Sequence, residues 1–177
     1  MSTFETGNAW AEDAEVFLGT LHVVDDEATA FEDLPEEAFE PVYLSLLKDA
    51  QGATIGGQSD WVVSGLQKPA CAFRFLYHSK GTNRLHFMIT GSGQDHDKTM
   101  GISRNGYLGL YRYAKVNDYF KFEPLHWTDD TLICRWRDHE GHRVRTHHDP
   151  AVAKPFFKYL RVIEGKEAIF RITRIRS

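Results

Sequence analysis

The chain has 177 residues, 42% of them hydrophobic and 13% aromatic, and a formal net charge of −4, which predicts one globular domain with a substantial core. Its two cysteines, Cys71 and Cys134, lack CxxC spacing, which excludes a disulfide framework and a cysteine-rich zinc site and predicts two reduced core thiols. No segment approaches the ~20 apolar residues of a membrane span, and the first residues lack the basic and apolar regions of a signal peptide. We therefore expect a cytoplasmic protein, or one secreted without a conventional signal peptide.

Charge is distributed unevenly along the chain. Residues 1–40 contain twelve acidic residues and no Lys or Arg, whereas residues 41–177 contain 21 basic and 13 acidic residues. Such asymmetry indicates an internal electrostatic pairing or a separate functional unit. Two interpretations stay open: the acidic arm lies on the basic body and aids solubility, or it is a detachable mask over a surface that binds a protein or polyanionic partner.

The N-terminal segment, residues 1–41, is predicted to be an acidic extension. The run from Val16 to Val24 predicts one strand, which would add to the body of the protein. Pro35 is well placed in the first turn of a short helical segment that reaches Phe39, and Pro41 would end it.

From residue 42 onward, three kinds of strand recur in the same order roughly 45 to 50 residues apart. The first kind comprises Tyr43–Leu47, Leu85–Ile89 and Leu132–Trp136, the second Trp61–Val63, Tyr107–Leu110 and Tyr159–Val162, and the third Phe73–Phe75, Phe120–Phe122 and Phe170–Ile172. In the third kind an aromatic residue, a base and an apolar residue alternate, as a half-buried strand requires. Asn105-Gly106 is the strongest hairpin signal, because both residues tolerate positive φ.

This all-β arrangement resembles the β-trefoil superfamily, with a domain at 42–177, repeats of about 45 residues at 42–82, 83–128 and 129–177, and four strands in each repeat. The turn-x-Leu-x-Leu and final Phe strands are most similar to the fascin-like and agglutinin-like branches, and the ricin-type Gln-x-Trp signature is missing. The resemblance implies six strands closing a short barrel and three hairpins capping one end. The alternative is a β-sandwich or another barrel whose strands recur by accident.

The turn-rich loops carry the predicted ligand-binding residues. Planar acceptors on fixed loops, combined with an aromatic ring, are typical of sugar recognition. The acceptors and loop histidines are Asp49, Gln51, Asp95, Asp97, Asp138, His139 and His142, and the stacking rings are Tyr111 and Tyr113. If Leu108 and Leu110 point inward, these tyrosines point outward; cross-strand packing under the acidic arm is the alternative for them.

Other kinds of site receive less support from the sequence. The histidine-rich loops suggest a metal site, but neither HExxH nor a helical His pair occurs, so no metal and no cofactor are predicted. Arg74, Lys121 and Arg171 lie opposite the buried phenylalanines and form either a solvated face or an anionic-ligand site. No nucleophile elbow, P-loop or dinucleotide fingerprint is present, so an enzyme is not expected.

The function predicted from these patterns is non-catalytic, lectin-like binding of a glycan or glycoprotein. The alternative is a protein-interaction trefoil, namely a protease inhibitor, a toxin or effector component, or a fascin-like actin-binding module, with the acidic arm as its regulator.

Overall fold

The computed structural model describes residues 9–13, 15–24, 34–45, 59–66, 68–112, 119–148 and 157–176. They contain one short helix, α1 (Ala9–Asp13), two single 3₁₀ turns (Glu36–Ala38 and Gly93–Asp95) and thirteen strands. The strands are β1 Val16–Val24, β2 Glu40–Ser45, β3 Ser59–Gly65, β4 Ala72–Gly81, β5 Arg84–Gly91, β6 Thr99–Ile102, β7 Leu108–Tyr111, β8 Phe120–Trp127, β9 Thr131–Arg137, β10 Val144–His147, β11 Phe157–Val162, β12 Lys166–Glu167 and β13 Ile169–Arg174. The all-β prediction is confirmed.

Nine antiparallel strands close into a barrel in the order β3, β2, β1, β13, β9, β8, β5, β6 and β7. The closing contact is between β7 and β3, from Ser59↔Tyr111 to Trp61↔Gly109. The other four strands lie off this ring: β4 pairs with β1 and β5, β11 pairs with β3 and β10, and β12 pairs with β10. Because the ring closes on itself, its strands leave no unpaired sheet edge along this path.

The predicted β-trefoil of three four-strand repeats is wrong, and so is the resemblance to that superfamily, because the strands close a ring of nine. Residues 42–82 do not form a unit of their own, since β2 and β4 both pair with β1, which precedes them. The aromatic–base–apolar pattern reports alternation between buried and exposed positions. Barrels of every kind require that alternation, so it does not specify a trefoil. The open alternative, another kind of barrel, is the one that the structure shows.

The barrel interior is filled by aromatic side chains. Trp136 is fully buried, stacks on Phe122 with ring centroids 5.6 Å apart, and meets Phe120 and Phe170 edge-on at 5.4 and 5.1 Å. Phe73 is also fully buried and belongs to the same cluster. The phenylalanines of the three recurring strands therefore share one core, in which each buried aromatic side chain contributes roughly 1.5–3 kcal/mol.

A second apolar cluster lies outside the barrel, where the N-terminal segment crosses it. Phe39 packs there with Val24, Ile133 and Ile169. The Arg171 guanidinium lies 4.1 Å from the centre of the Phe39 ring and donates two hydrogen bonds to the Glu36 carboxylate, at 2.7 and 2.8 Å. The hydrogen bonds from Arg171 lower the pKa of Glu36. The acidic segment thus docks on the barrel chiefly by apolar packing, because so exposed a carboxylate is screened by solvent.

Two further predictions about local structure are confirmed. The helical turn after Pro35 exists as the 3₁₀ turn Glu36–Ala38, and the predicted strand has the bounds of β1.

Both cysteines are free thiols: Cys134 is fully buried, and Cys71 is half-buried against the core. Burial raises the pKa of the Cys134 thiol far above its ordinary value, which leaves it unreactive.

If β1 is an integral barrel strand, its inward-facing side chains must contribute to the free energy of unfolding. We expect Leu21→Ala to lower the free energy of unfolding by about 2–5 kcal/mol, because the Leu21 side chain is fully buried. Leu18→Ala, on the outward face of the same strand where Leu18 is 41% exposed, should cost less than about 1 kcal/mol. Urea unfolding of both variants measures the difference. Equal losses of unfolding free energy in the two variants would mean that the inward face of β1 does not belong to the barrel core.

Candidate functional site

Three turns at one end of the barrel surround an open groove of about 550 Å³. The first turn joins β6 to β7 at residues 103–106, the second joins β9 to β10 at residues 138–142, and the third joins β11 to β12 at residues 163–165. A volume of this size lies within the range of about 300–1,000 Å³ that small-ligand sites occupy. The groove is therefore the candidate functional site.

The first turn is the predicted Asn105-Gly106 hairpin, which is confirmed. Gly106 has φ of +86° and donates its N–H to the carbonyl of Ser103 at 2.9 Å. A Cβ on Gly106 would lie 3.0 Å from the Val162 carbonyl oxygen. The N–H of Val162 in turn donates to the Gly106 carbonyl at 2.9 Å. Only glycine allows β11 to approach this turn so closely.

The second turn is organised by the carboxylate of Asp138, which is 4% exposed. Its Oδ1 accepts the N–H groups of Glu140 at 2.9 Å and His142 at 2.8 Å, and its Oδ2 lies 3.2 Å from His142 Nδ1. Because a carboxylate only accepts hydrogen bonds, Nδ1 of His142 is the donor in this contact, which leaves Nε2 free to face the ligand. Asp138 therefore holds the loop in shape, and His142 is oriented by it.

The third turn has strained backbone geometry. Ile163 has φ of +77°, and the N–H of Glu164 donates to the Val162 carbonyl at 2.9 Å, which makes a γ-turn centred on a β-branched residue. Such a conformation costs on the order of 1–3 kcal/mol. The Ile163 side chain is nevertheless 66% exposed at the groove. Strain that serves no core packing and displays an apolar group is typical of a functional position.

Arg161 joins the first and third turns. Its Nε donates to the Asn105 carbonyl at 2.9 Å, its Nη1 lies 3.0 Å from the Glu164 carboxylate, and its guanidinium covers the Tyr107 ring at 4.5 Å. The Tyr107 hydroxyl also accepts a hydrogen bond from Nη1 at 3.3 Å. The Tyr107 ring and hydroxyl thus hold the Arg161 guanidinium in place, and this guanidinium forms one side of the groove.

Tyr107 also packs beneath the groove with two other aromatic residues. Its ring centroid lies 5.9 Å from that of Trp61 and 5.3 Å from that of Tyr159, and Trp61 and Tyr159 lie 6.4 Å apart. These three residues begin the three recurring strands of the second kind. All three rings pack edge-on, so they brace β3, β7 and β11 against one another.

The groove holds a mixture of charges. Its charged side chains are Arg104, Arg161, Asp138, Glu140 and Glu164. Among these five side chains carboxylates exceed guanidinium groups by one, so the groove favours polar ligands over multiply charged anions.

The structure gathers three of the predicted ligand-binding residues in the groove: Asp138, His139 and His142. His139 contributes a half-buried ring, with its Nε2 3.6 Å from the Glu140 carboxylate. Asp138 is at the site but its oxygens are occupied by the loop itself. The predicted role of these residues in ligand binding stays a prediction.

The other predicted residues that the structure describes, Asp95, Asp97 and Tyr111, do not line the groove. Asp95 pairs with Lys98 at 2.8 Å, and Asp97 pairs with Arg112 at 3.1 Å, in the loop between β5 and β6. Tyr111 lies on β7 with its hydroxyl buried and without a hydrogen-bond partner among the described residues, and burial raises its pKa. Asp49, Gln51 and Tyr113 lie outside the described residues.

Sequence reasoning missed Arg161 and Ile163. Gly165, whose φ is +121°, marks a turn after β11, because glycine is the residue that most readily adopts positive φ. No local signal places an isoleucine at positive φ, and the contact from Arg161 to Asn105 spans 56 residues. Both features depend on how β11 packs against the first turn.

No protein-family model, curated protein or solved structure matches this chain. In the part of the chain that the structure describes, no helix is both long and apolar enough to span a bilayer. Within those same ranges, no three His, Cys, Asp or Glu side chains are grouped so that they could hold a metal ion.

Asp138 offers a test of how the groove is held in shape. Asp138→Ala would leave the backbone N–H groups of Glu140 and His142 without their acceptor, and we expect it to lower the free energy of unfolding by about 1–3 kcal/mol. Asp138→Asn keeps an acceptor oxygen at the same place and should cost less than about 1 kcal/mol. Urea unfolding and amide hydrogen exchange at Glu140 and His142 check this. If the two variants lost equal stability and protection, the loop would not depend on these hydrogen bonds.

Proposed function

We propose that this chain is a non-catalytic carbohydrate-binding protein and that the groove formed by turns 103–106, 138–142 and 163–165 holds the sugar. The observation that carries the proposal is the convergence of fixed donors and acceptors around one exposed aliphatic side chain, Ile163, in a space of about 550 Å³. Sugar rings present hydroxyl groups along their edges and C–H groups on their faces, so they require this combination.

The polar part of the groove suits hydroxyl groups, which both donate and accept hydrogen bonds. Arg104 and Asn105 supply donors on the first turn, and Glu140 and Glu164 supply acceptors on the other two. His142 adds its Nε2 acceptor, because Asp138 occupies the other ring nitrogen. These groups stand on short hydrogen-bonded turns, which lowers the entropy lost when they bind a ligand.

The apolar part of the groove differs from the one that the sequence predicted. Tyr111, the described member of the predicted stacking pair, lies away from the groove, and Arg161 covers the Tyr107 ring. Ile163 takes the place of an aromatic face, because its strained turn directs an aliphatic surface into solvent at the groove. A sugar bound here would pack its C–H side on Ile163.

Binding without catalysis agrees with the exposure of the carboxylates. A glycosidase needs one carboxyl group whose pKa is raised by burial, so that it can donate a proton. Glu140 and Glu164 are both 64% exposed, and the buried Asp138 already accepts two backbone N–H groups. None of the three carboxylates combines burial with a free oxygen in the groove.

The test is a glycan array followed by titration of the best ligand against a matched pair of variants. Ile163→Gly should weaken binding about five- to tenfold because it removes the apolar surface, while leaving stability unchanged or raising it by about 0.5–1 kcal/mol through relief of strain. Leu66→Gly removes another exposed aliphatic residue, which is 79% exposed and lies outside the groove. It should leave binding unchanged and lower stability by about 0.5–1 kcal/mol.

Two outcomes would contradict the proposal. One is a folded protein that binds no glycan on the array at any concentration. The other is glycan binding that Ile163→Gly and Leu66→Gly affect equally. Capture of a protein ligand by the unmodified chain, abolished by Ile163→Gly in the absence of glycan binding, would favour the protein-interaction alternative.

A further inference from the structure

A strongly basic surface lies beside the groove on the outside of the barrel. This surface, the basic face, comprises Arg84 of β5, Lys121 and Glu123 of β8, and Arg135 and Arg137 of β9. The residues that alternate with these, such as Phe122 and Trp136, are fully buried, so the basic side chains point outward. These residues comprise four cations and one carboxylate, which leaves an excess of three positive charges on three neighbouring strands.

The carboxylate of Glu123 shows how strong the local field is. Arg137, Arg135 and Arg84 approach it at 2.9, 3.2 and 3.6 Å. Burial alone would raise the pKa of Glu123, but the three guanidinium groups outweigh burial and lower it. This one half-buried carboxylate therefore does not neutralise the basic face.

Lys121 is the feature that folding does not explain. It lies directly opposite Arg137 on β9, and on its other side it lies opposite His86 on β5. Like charges directly opposite each other destabilise a sheet. Among the described residues Lys121 forms no ion pair. Lys121 therefore weakens the sheet and gains no ion pair with a described carboxylate in return. An external anion that binds to Lys121 would explain why a lysine stands at this position.

The basic face and the groove are joined by one contact. Nη1 of Arg137 donates to the carbonyl of Gly141 at 3.0 Å, and Gly141 belongs to the turn that forms one wall of the groove. The backbone of Arg137 also forms an isolated antiparallel β-bridge with that of Arg143, at the other end of that turn. A chain-like ligand that left the groove over residues 138–142 would arrive at Arg137 and then at Lys121.

We propose that the ligand of this protein is a sulfated glycan, with a hydroxyl-rich unit in the groove and sulfate groups on the basic face. The inference rests on the proposed function and names its ligand class. Arginine recognises the oxygens of such anions through paired N–H donors, and Lys121 adds a point charge.

The arrangement of charges favours a glycan over a nucleic acid. The groove that continues from the basic face contains Asp138, Glu140 and Glu164. A phosphodiester chain carries a charge on every unit and would bring phosphates against these carboxylates. A glycan carries its sulfates on some units only, so neutral hydroxyl groups can occupy the groove while the sulfates lie on the basic face.

The experiment uses the full chain and two probes, a sulfated hexasaccharide prepared from heparin and its chemically desulfated counterpart. We expect the sulfated probe to bind at least tenfold more tightly at low salt, and this advantage should shrink as salt is added. Lys121→Glu should weaken binding of the sulfated probe about tenfold and binding of the desulfated probe less than twofold. Its melting temperature should be unchanged or higher, because the contact of like charge with Arg137 is removed.

Arg74→Glu is the matched control. Arg74 alternates with the fully buried Phe73 and Phe75 and is half-buried, but it lies on β4, outside the ring, opposite Leu18 and Thr90. It should bind both probes within twofold of the unmodified chain. If Arg74→Glu and Lys121→Glu weakened the sulfated probe equally, the effect would come from overall charge and the inference would be wrong.

The remaining outcomes separate this inference from the proposed function. Equal affinity for the two probes, lowered by Ile163→Gly and not by Lys121→Glu, would overturn the sulfate assignment and leave the groove as a glycan site. Sulfate-dependent binding that Lys121→Glu lowers and Ile163→Gly does not would overturn the groove's role. A single-stranded oligothymidine that binds as tightly as the sulfated probe, with the same loss in Lys121→Glu, would overturn the glycan assignment.

Discussion

The structure depends on the pairing of β1, which is the strand that the ring and the N-terminal segment share. One edge of β1 pairs with β13 from Gly19↔Arg174 to Val24↔Ile169, while the other edge pairs first with β4 and then with β2. Gly19 lies where both sets of pairs overlap, and a Cβ there would be 3.2 Å from both the Phe75 ring and the Thr173 carbonyl oxygen. Without β1 in this place, β2, β4 and β13 would each expose an unpaired edge. The acidic segment is therefore part of the barrel where it forms β1, whatever its charge does elsewhere.

The groove follows from the barrel, because its three turns occur where strand pairs end at one side of it. Trp61, Tyr107 and Tyr159 brace β3, β7 and β11 beneath the turns, and Gly106 lets β11 approach the first turn. This rigid support explains how Ile163 can be held at positive φ. A strained turn persists only when its surroundings determine its conformation. The groove is thus built from short turns on packed strands, which suits the proposed binding by fixed donors and acceptors.

The local elements could be predicted from the sequence, and their pairing could not. Alternation located β1 with its observed bounds, and Asn105-Gly106 located a hairpin, because both signals are read within a few residues. The number of strands in the ring depends on contacts between distant segments, such as β3 with β7 and β1 with β13. A similar limit applies to the site. Asp138 was recognised as an acceptor, but burial commits its oxygens to the loop, and that burial is a property of the fold.

The charge asymmetry of the chain separates into two parts once the structure is known. Within the described residues, the acidic segment pairs with the body at Lys80, Lys158 and Arg171, through Glu12, Glu40 and Glu36. None of these three bases belongs to the basic face, whose internal carboxylate, Glu123, comes from β8. These contacts of the arm therefore do not cover the basic face, and the detachable-mask interpretation gains no support from them. The basic face contains the like-charged neighbours Lys121 and Arg137, which lie opposite each other on adjacent strands. These like charges weaken the sheet slightly in the free protein. Binding of an anion explains their presence better than a contribution to folding does.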